Sequence, residues 1–370
     1  MREKLFSSLQ VVVIKVGTTV LTGARGRISR TRLRELARQI SHYRERGIKV
    51  VLVSSGAIAY GMELLGLSRR PRELAKLQAC AALGQGKLMR LYEELFSRNG
   101  YHTGQLLLTR DGLDDRKRYL NVRNTLNELL ACGAIPVVNE NDTVATEEIN
   151  FGDNDVLAAQ VATLINADCL VVLSDIDGLY QKGARTRKIF DHITAIDDTV
   201  RSHLYVSKSE RSKGGMASKL TAAERVMKAG ISMIIANGKQ KNVLVDLLSG
   251  ASAGTLFFSG RGKKSSFKNW LSFSSAVRGT IAVDAGARDA LVTKGKSLLA
   301  AGITAVRGVF VEGAIVSIAD TAGKEIARGI VNFSDRQVRR MKGKRCNEIK
   351  PIIGDRSGYE VVHRDNMVIM

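Results

Sequence analysis

The densest group of side chains that could do chemistry is the stretch NENDTVATEEINFGDND, from Asn139 to Asp155. It holds six carboxylates and four asparagines but no lysine or arginine, although the chain as a whole has 57 basic and 36 acidic residues and a formal charge of +21. Such a loop either binds a positively charged group or is simply an acidic, solvated surface loop. The choice between the two depends on what the rest of the chain brings near it.

One lysine-bearing segment follows a short apolar run. In KVGTTVLTG (15–23), glycine and small hydroxyl residues let backbone N–H groups approach a phosphate closely, and Lys15 supplies a positive charge. The P-loop pattern GxxxxGK[ST] is absent. In SSGAIAYG (54–61) there is no GxSxG, so we interpret Ser54 and Ser55 as hydrogen-bonding groups rather than nucleophiles.

A second lysine lies beside a glycine pair in SKGGMASKLTAAERVMKAG (212–230). We predict that this pair opens a helix over 216–229 and that Lys219 lies in its first turn. The helix dipole disfavours a cation there, and a bound anion would offset the unfavourable placement. LSDIDGLY (173–180) adds polar groups at another strand end. Two lysines opposite an acidic, amide-rich loop suit phosphoryl transfer, which depends mainly on positioning and charge neutralisation.

Short apolar runs alternate with amphipathic segments along the first two thirds of the chain. We predict strands over 11–16, 49–55, 105–108, 135–139, 169–175 and 232–238, and helices over 29–46, 72–98, 118–132, 154–165 and 216–229. Consecutive apolar positions indicate strands buried on both faces, and the alternation indicates parallel crossovers. The predicted fold is an α/β, three-layer αβα sandwich with a mainly parallel sheet, whose ligands bind beyond the carboxyl ends of the strands.

The texture of the chain changes near residue 258. We predict a catalytic domain over 1–258, a polar, serine-rich and basic linker over 259–278, and a small β-rich domain with a tail over 279–370. The last part includes a hairpin around DTAGKE. Within the first domain, GQGK (84–87) lies inside a long helical pattern, and we interpret it as structural.

Composition excludes several classes of protein. No apolar run reaches membrane-spanning length, and the apolar run at the start is interrupted by Lys15, so we expect neither a membrane span nor a signal peptide. The four cysteines form no CxxC pair, and the five histidines have no metal-ligand spacing. We therefore expect a reducing, cytoplasmic location and no metal site built from protein ligands alone.

Positive charge is concentrated toward the C-terminal end. Residues 259–370 hold 20 basic and 10 acidic residues, and the run RQVRRMKGKRCNEIK (336–350) has seven basic residues and one acid. An RNA-binding protein is therefore the alternative from a different functional class. A basic run is nevertheless more often a solvated surface than a specific site, and binding driven by charge alone would be steeply salt-dependent.

The motifs together resemble the bacterial glutamate 5-kinases of the amino acid kinase family. The likeness rests on VVIKVGTTVLT, VLVSSGAIAYG, IPVVNENDTVATEEINFGDNDVLAAQVA, LSDIDGLY and KGGMASKLTAAERVMKAGI, in this order and spacing. The segment from 279 onward, which ends in GYEVVHRDNMV, resembles the PUA domain, an RNA-binding module. The resemblance implies the amino acid kinase fold, with ATP and Mg²⁺ used to phosphorylate the side-chain carboxylate of L-glutamate. That reaction gives L-glutamyl 5-phosphate, in the first step of proline biosynthesis.

The resemblance also implies individual roles. Lys15 and Lys219 are expected to neutralise charge on the transferring phosphoryl group. Asp155 is expected to hold both lysines in place. The glutamate substrate is expected to meet Ser55, Asn139, Asp142, Asp153 and Asn154. ATP is expected to meet Lys15, Gly17, Ser174, Asp175, Lys213, Gly214, Gly215, Met216, Ala217, Ser218 and Lys219.

The proposed chemistry agrees with the residues available. The carboxylate of a glutamate side chain is already ionised near neutral pH, so it needs no general base, and the chain has no histidine motif that would supply one. Two lysines and a metal neutralise the developing charge, and the acidic loop would meet the α-ammonium of glutamate. Mg²⁺ is expected on the ATP phosphates, because it keeps water and phosphate ligands.

Two departures from the family pattern are visible. Glutamate 5-kinases commonly have Thr where Ser174 stands, and an Asp-Pro pair after GLY where this chain has QKGAR. Contacts to the adenine in 181–212 are therefore left unassigned. The alternative within the class is an amino acid kinase that acts on N-acetylglutamate or carbamate. From the resemblance we also expect proline to compete at the loop 139–155 and the chain to form a homo-oligomer, a dimer or tetramer.

Overall fold

A computed structural model of the chain describes residues 2–23, 26–109, 113, 115–144, 153–181, 188–203, 210–260, 266–273, 276–353 and 359–370. Within these ranges, the side chains of 153, 210–214, 266, 273, 346–347 and 352–353 lie outside the description. The chain divides into two compact units, Met1–Lys264 and Ser265–Met370. Each is taken by itself below. The predicted domain boundaries at 258 and 279 stay a prediction.

The first unit consists of an eight-stranded sheet and the helices that cover it. Its elements, in chain order, are α1 (Arg2–Ser7), β1 (Val11–Val16), α2 (Thr18–Leu21), α3 (Arg30–Glu45), β2 (Lys49–Ser54), α4 (Ala57–Leu64), α5 (Leu74–Ser97), β3 (Thr103–Leu108), α6 (Arg116–Ala131), β4 (Ile135–Glu140), α7 (Asp153–Leu164), β5 (Cys169–Ser174), β6 (His192–Ile193), α8 (Asp198–Ser202), α9 (Glu210–Lys228), β7 (Ser232–Asn237), α10 (Val243–Leu248) and β8 (Thr255–Phe257).

The strand order is β3-β4-β2-β1-β5-β7-β8-β6. Neighbouring strands are parallel, except that β7 and β8 are antiparallel. The prediction of a mainly parallel sheet with helical crossovers is therefore confirmed. The two strands that the sequence analysis missed, β6 and β8, have two and three residues, too few to show a periodic pattern.

Alternate residues of β1 face two different layers of helices. Val12, Ile14 and Val16 belong to an apolar core that also contains side chains of α3, α5 and α10. Lys15 lies on the opposite face, where α7 packs against β1 and against α9. Its backbone neighbours in the sheet are Val53 of β2 and Val172 of β5, so this lysine occupies the middle of the sheet.

Helices α4 and α5 approach each other closely through glycine. A Cβ atom at Gly84 of α5 would lie 1.9 Å from the carbonyl oxygen of Ala57 and 2.5 Å from the backbone nitrogen of Gly61, both in α4. A Cβ atom at Gly61 would in turn lie 1.9 Å from the carbonyl oxygen of Cys80. Gly86, only two residues from Gly84, has open space around it. The prediction that GQGK lies within a helix is confirmed, and its first glycine is required by packing.

Arg2 joins the start of the first unit to its end. Its guanidinium donates hydrogen bonds to the carbonyl oxygens of Ala253 at 2.9 Å, Gly254 at 2.8 Å and Asp191 at 2.9 Å. The side chain is only 8% exposed. These carbonyl groups, together with the Asp191 carboxylate at 3.3 Å, stabilise a charge that would be costly to bury alone.

The second unit is rich in short strands. Its elements are α11 (Ser266–Phe273), β9 (Val277–Val283), α12 (Ala285–Val292), β10 (Leu298–Leu299), β11 (Ile303–Gly308), β12 (Ile315–Ala319), β13 (Glu325–Ile330), α13 (Asp335–Met341), α14 (Cys346–Ile353), β14 (Glu360–Val362) and β15 (Met367–Ile369). One sheet has the order β11-β9-β12-β13-β15, and β10 pairs with β14. The prediction of a small β-rich C-terminal unit is confirmed.

The predicted DTAGKE hairpin joins β12 to β13, which are antiparallel. The Asp320 carboxylate accepts hydrogen bonds from the backbone N–H groups of Ala322 and Lys324, and Gly323 has a positive φ of 81°. A short acidic side chain and a left-handed glycine are what this tight turn requires.

Within the segment predicted as a linker, 259–278, residues 266–273 form the helix α11, and the assignment of the segment as a linker stays a prediction. Trp270 and Leu271 are 6% and 0% exposed. Phe267, Trp270 and Leu271 have the i, i+3, i+4 spacing of one helix face, which the surrounding serines and lysines obscured. Within the described ranges we find no helix with the length and apolar character needed to cross a bilayer.

Two alanine substitutions two residues apart on α5 test the close contact between α4 and α5. In Gly84→Ala the new Cβ meets the backbone of α4, so we expect the free energy of unfolding to fall by about 2 kcal/mol or more. In Gly86→Ala the methyl group enters open space, and we expect a gain of about 0.5–1 kcal/mol from helix propensity. Urea unfolding followed by circular dichroism measures both. Equal effects of the two substitutions would contradict the contact.

Candidate active site

Two lysines and one aspartate meet in the interior of the first unit. Lys15 Nζ lies 2.6 Å from Asp155 Oδ1, and Lys219 Nζ lies 3.0 Å from Asp155 Oδ2. Asp155 is 0% exposed, and the two lysines are 5% and 7% exposed. The structure thus brings together the three residues predicted at the reacting phosphate, from β1, the first turn of α7 and α9.

The local sequence explains how each group arrives there. Lys15 is carried by a strand whose neighbours on both sides are apolar, so its side chain is fixed on the α7 face of the sheet. Asp155 lies in the first turn of α7, where a helix dipole favours a carboxylate. Lys219 lies on α9, which packs against α7. Its ammonium group also donates to the carbonyl oxygen of Gly215, at 3.2 Å.

Burial and charge pull the pKa values in this group in opposite directions. Burial lowers the pKa of Lys15, the Asp155 carboxylate opposes that change, and the nearby Lys219 adds to it. Burial also acts to raise the pKa of Asp155, but the two ammonium groups outweigh it and hold that pKa below its usual value. The carboxylate is therefore ionised at neutral pH.

Among the described residues, the two ammonium groups share one buried carboxylate, and the exposed Asp175 also lies within electrostatic range of Lys15, so their positive charge is only partly balanced in the interior. An uncompensated charge in the interior reduces the free energy of unfolding by roughly several kcal/mol, and a phosphate group from a ligand would neutralise it. The charges thus indicate a phosphate-binding site, as the sequence motifs did. The face of the sheet that bears Lys15 is suited to bind an anion.

The helix that carries Lys219 begins earlier than predicted. Helix α9 starts at Glu210 and continues through the glycine pair, so Lys219 lies more than two turns inside it. The prediction that Lys219 lies in the first turn, where the helix dipole disfavours a cation, is therefore wrong. Glycine usually interrupts a helix, but α9 continues through Gly214 and Gly215. What holds the lysine is the ion pair with Asp155, which the hydroxyl of Ser218 supports by donating to Asp155 Oδ2 at 3.1 Å.

A row of amide and hydroxyl groups lies beside this ion-paired group. Asn154 Nδ2 donates to Ser55 Oγ at 2.9 Å and to Asn139 Oδ1 at 2.9 Å. Asn139, 3% exposed, is the penultimate residue of β4, and Ser55 directly follows β2. Three of the residues predicted to bind glutamate are thus in contact with one another, at neighbouring strand ends.

The other two residues predicted to bind glutamate have less structural support. Asp142 lies two residues beyond β4 and is half-buried. Asp153 is the first residue of α7, and its side chain lies outside the described parts of the chain. Glu147 and Glu148 of the acidic stretch also lie outside the described residues.

Residues predicted to meet ATP lie around the same strand ends. The N–H group of Gly17 donates to the carbonyl oxygen of Leu173 at 3.1 Å, which ties the turn after β1 to the end of β5. Ser174, 8% exposed, ends β5, and Asp175 follows it within electrostatic range of Lys15. A Cβ atom at Gly17 would lie 3.7 Å from Lys15 Nζ, so this glycine leaves space beside the ammonium group.

The remaining predicted ATP contacts lie on α9. Gly215, Met216 and Ser218 are half-buried, and Ala217 is exposed. For Lys213 and Gly214 the backbone is helical, but their side-chain positions are outside the description. Among the predicted adenine region, residues 182–187 and 204–209 also lie outside the described residues.

The sequence analysis missed the support that α5 gives to the site. Gln85, 9% exposed, accepts a hydrogen bond from Asn139 Nδ2 at 2.9 Å. The hydroxyl groups of Tyr92 and Ser54 lie 2.7 Å apart, and Ser54 Oγ also donates to the carbonyl oxygen of Ser55. Gln85 and Tyr92 are seven residues apart and so share one helix face, a spacing that was visible in the sequence.

The described residues contain no group of three or more histidine, cysteine, aspartate or glutamate side chains placed to hold a metal ion. The Asp155 carboxylate already serves two lysines. A divalent cation fits this donor set only if a ligand brings its own oxygen atoms, as nucleotide phosphates do.

Comparisons with known proteins agree with this geometry. Residues 10–237 match the model of the amino acid kinase family, and residues 279–353 match that of the PUA domain. The chain belongs to the amino acid kinase family. The expected fold class is thereby confirmed. It is an αβα sandwich with the amino acid kinase fold, together with a small β-rich PUA domain.

Relatives of this family are similar over the whole chain. A protein named glutamate 5-kinase from Caldanaerobacter subterraneus is 44% identical over 362 residues, which cover 97% of each chain. One of the same name from Moorella thermoacetica is 45% identical and covers 98% of this chain and 97% of its own. The resemblance to bacterial glutamate 5-kinases that the motifs suggested is confirmed.

A solved structure of N-acetylglutamate synthase from Neisseria gonorrhoeae, complexed with coenzyme A and N-acetyl-glutamate, superposes on this chain with a TM-score of 0.52. The identity is 19%, and the match covers 70% of this chain and 62% of that chain. At this level of identity the likeness shows a shared fold and nothing more.

Replacing the shared carboxylate should destabilise the first unit. Asp155→Asn leaves two buried ammonium groups without a counter-ion, and we expect the free energy of unfolding to fall by about 3–5 kcal/mol at pH 7. The contribution of Asp155 is present above pH 3.8 and is lost as the pH falls through its lower folded-state pKa, so the variant should also lose that part of the acid dependence.

Urea unfolding at several pH values measures both effects. Asp246→Asn is the matched control, because Asp246 is exposed. A loss no greater than that of the control would contradict the role of the ion pairs.

Proposed function

We propose that this protein transfers the γ-phosphoryl group of ATP to the side-chain carboxylate of L-glutamate, which forms L-glutamyl 5-phosphate and ADP, in the first step of proline biosynthesis. The observation that carries the proposal is the pair of lysines from distant parts of the chain that share the buried Asp155. Full-length relatives named glutamate 5-kinase support the choice of substrate.

The described residues can support this reaction without a general base. A carboxylate oxygen of glutamate attacks the γ-phosphorus, a new P–O bond forms, and the bond to the bridging oxygen of ADP breaks. In the proposed roles, Lys15 and Lys219 neutralise charge on the phosphoryl oxygens, and Asp155 keeps both ammonium groups in place. Because these groups are fixed before ligands bind, little reorganisation is needed during the reaction.

The substrate is proposed to lie beside the amide groups at the ends of β2 and β4. Ser55 and Asn154 offer oxygen atoms that can accept hydrogen bonds from an α-ammonium group, and Asn139 holds Asn154 in place beside it. The acidic side chains of Asp142 and Asp153 are proposed to favour a cation in this region. An N-acetylated substrate has lost that positive charge. This difference supports glutamate over N-acetylglutamate.

ATP is proposed to contact the strand ends at Gly17, Ser174 and Asp175 and the segment 213–219 of α9. Mg²⁺ would supply further positive charge on the nucleotide phosphates. The described residues fit a cation that arrives on ATP, since Asp155 is engaged by the two lysines. Asp175 is proposed to lie near this cation, because it is one of the proposed ATP contacts and lies within electrostatic range of Lys15.

Four further expectations from the sequence remain proposals. Proline is proposed to compete with glutamate at the loop 139–155, and the chain is proposed to act in the cytoplasm as a homo-oligomer. RNA is proposed as a partner of the PUA unit. The support is that Arg336, Arg340 and Lys342 are exposed on or just beyond α13, within the basic run 336–350.

The direct test is ADP release with glutamate, together with trapping of the acyl phosphate by hydroxylamine. We expect turnover with glutamate and at least about a hundred-fold lower kcat/KM with N-acetylglutamate. Lys15→Ala and Asp155→Ala should each reduce kcat by about a hundred-fold or more, because each removes charge stabilisation in the transition state. Preference for the blocked amine would refute the proposed substrate.

The pH dependence of turnover offers a second test. Lys15 must be protonated to act, and burial lowers its pKa below 10.5, so activity should be full below that folded-state pKa and fall above it. We expect the alkaline limb of kcat/KM to lie below pH 10.5. In Lys15→Arg the residual activity should lack this limb, because guanidinium stays charged. An unchanged limb in that variant would assign it to another group.

A further inference from the structure

The amide side chains of Gln85 and Asn139, which are buried, and of Asn154, which is half-buried, form a continuous chain from α5 to α7. Gln85 Oε1 accepts from Asn139 Nδ2 at 2.9 Å, and Asn139 Oδ1 accepts from Asn154 Nδ2 at 2.9 Å. We propose that Gln85 is a positioning residue of the glutamate pocket, which fixes Asn139 and, through it, the direction in which Asn154 presents its oxygen. This inference rests on the proposed function and concerns recognition of the substrate's ammonium group.

The direction of the chain is set by two backbone groups that cannot reverse their roles. The N–H group of Glu140 donates to Asn139 Oδ1 at 2.9 Å, so the oxygen of that amide must face the backbone and its nitrogen must face Gln85. The carbonyl oxygen of Ser54 can only accept, and Asn154 Nδ2 lies 3.3 Å from it. Both ends therefore require the same orientation of all three amides.

This orientation leaves one acceptor over. Asn154 Oδ1 is buried and finds no hydrogen-bond partner within the part of the chain that the structure describes. A buried acceptor without a partner is costly, and a ligand that supplies a donor would satisfy it. An ammonium group supplies three donors, whereas a carboxylate supplies none. The pocket is thus prepared for the amine end of its substrate.

Gln85 is placed to hold this arrangement because of the glycine before it. Gly84 lets α5 come within contact distance of α4, and Gln85 then reaches the end of β4 from the helix. If the Gln85 acceptor is lost, Asn139 Nδ2 becomes a buried donor without a partner, and the Asn139 side chain gains freedom to turn. Loss of the acceptor should therefore weaken binding of glutamate at Asn154. It should leave binding of the nucleotide at Lys15 and Lys219 unchanged.

The test compares three variants of the full chain. Gln85→Met keeps the length of the side chain and removes the acceptor. Gln85→Glu keeps an oxygen that can accept, whether it is ionised or protonated. Lys87→Met makes a matched change at an exposed position on the same helix. The readouts are the KM values for glutamate and for ATP, together with kcat.

We expect Gln85→Met to raise the KM for glutamate about ten-fold, while kcat and the KM for ATP change by no more than about two-fold. Gln85→Glu should restore the KM for glutamate to within about three-fold of the unmodified protein, and Lys87→Met should have no effect. If Gln85→Met does not fold, Gln85→Ala removes the same acceptor with a smaller side chain and should show the same selective rise.

Two results would overturn the inference. One is an unchanged KM for glutamate in folded Gln85→Met. The other is an equal loss in all three kinetic constants that Gln85→Glu does not repair, which would indicate general damage to the helix. An unmodified protein that does not phosphorylate glutamate would instead refute the proposed function, so the two failures are distinguishable.

Discussion

The site depends on a single buried carboxylate that must satisfy two ammonium groups. Asp155 can stay ionised in the interior only because both of its oxygens have cationic partners, and those partners come from residues 15 and 219. The pairing ties the central strand to two helices that are far apart in sequence. It also sets the electrostatic balance of the site, since the positive charge of the two lysines is only partly balanced by the described carboxylates and a ligand anion would complete the balance.

The two faces of the sheet have different roles, one in packing and the other in the candidate active site. On the face of Val12, Ile14 and Val16, apolar side chains pack against α3, α5 and α10 and stabilise the unit. On the face of Lys15, α7 and α9 bring charged groups to the carboxyl ends of the strands. Because β1 alternates between the two, a single strand contributes both to the core and to the candidate chemistry.

Much of this could be predicted from local patterns. Runs such as VVVIKV and CLVVLSD have the length and composition of buried parallel strands, and the structure contains them as β1 and β5. Periodicity alone could not bring Lys15, Asp155 and Lys219 together, since no local signal measures a distance between residues so far apart in the chain. The family resemblance supplied that step, and the geometry agrees with it.

Other features could not be predicted because they depend on packing in the folded chain and not on local sequence patterns. Gln85 lies between two glycines in a helix, and nothing in GQGK shows that its side chain reaches Asn139. The start of α9 was misplaced because glycine usually interrupts helices, whereas this helix continues through Gly214 and Gly215. Helix α11 was hidden by polar composition, although its few apolar residues share one face.

The hydrogen bonds of Arg2 bear on the order in which the polypeptide folds as it is synthesised. A guanidinium group keeps its charge at physiological pH, so it remains hydrated until acceptors exist for it. Two of those acceptors, the carbonyl groups of Ala253 and Gly254, are made only after nearly all of the first unit has left the ribosome. The hydrogen bonds of Arg2 to these two carbonyl groups therefore form late in the synthesis of the first unit. A chain that stops short of residue 253 keeps the acceptors of Asp191 but lacks these two carbonyl groups, so fewer hydrogen bonds hold Arg2 in place.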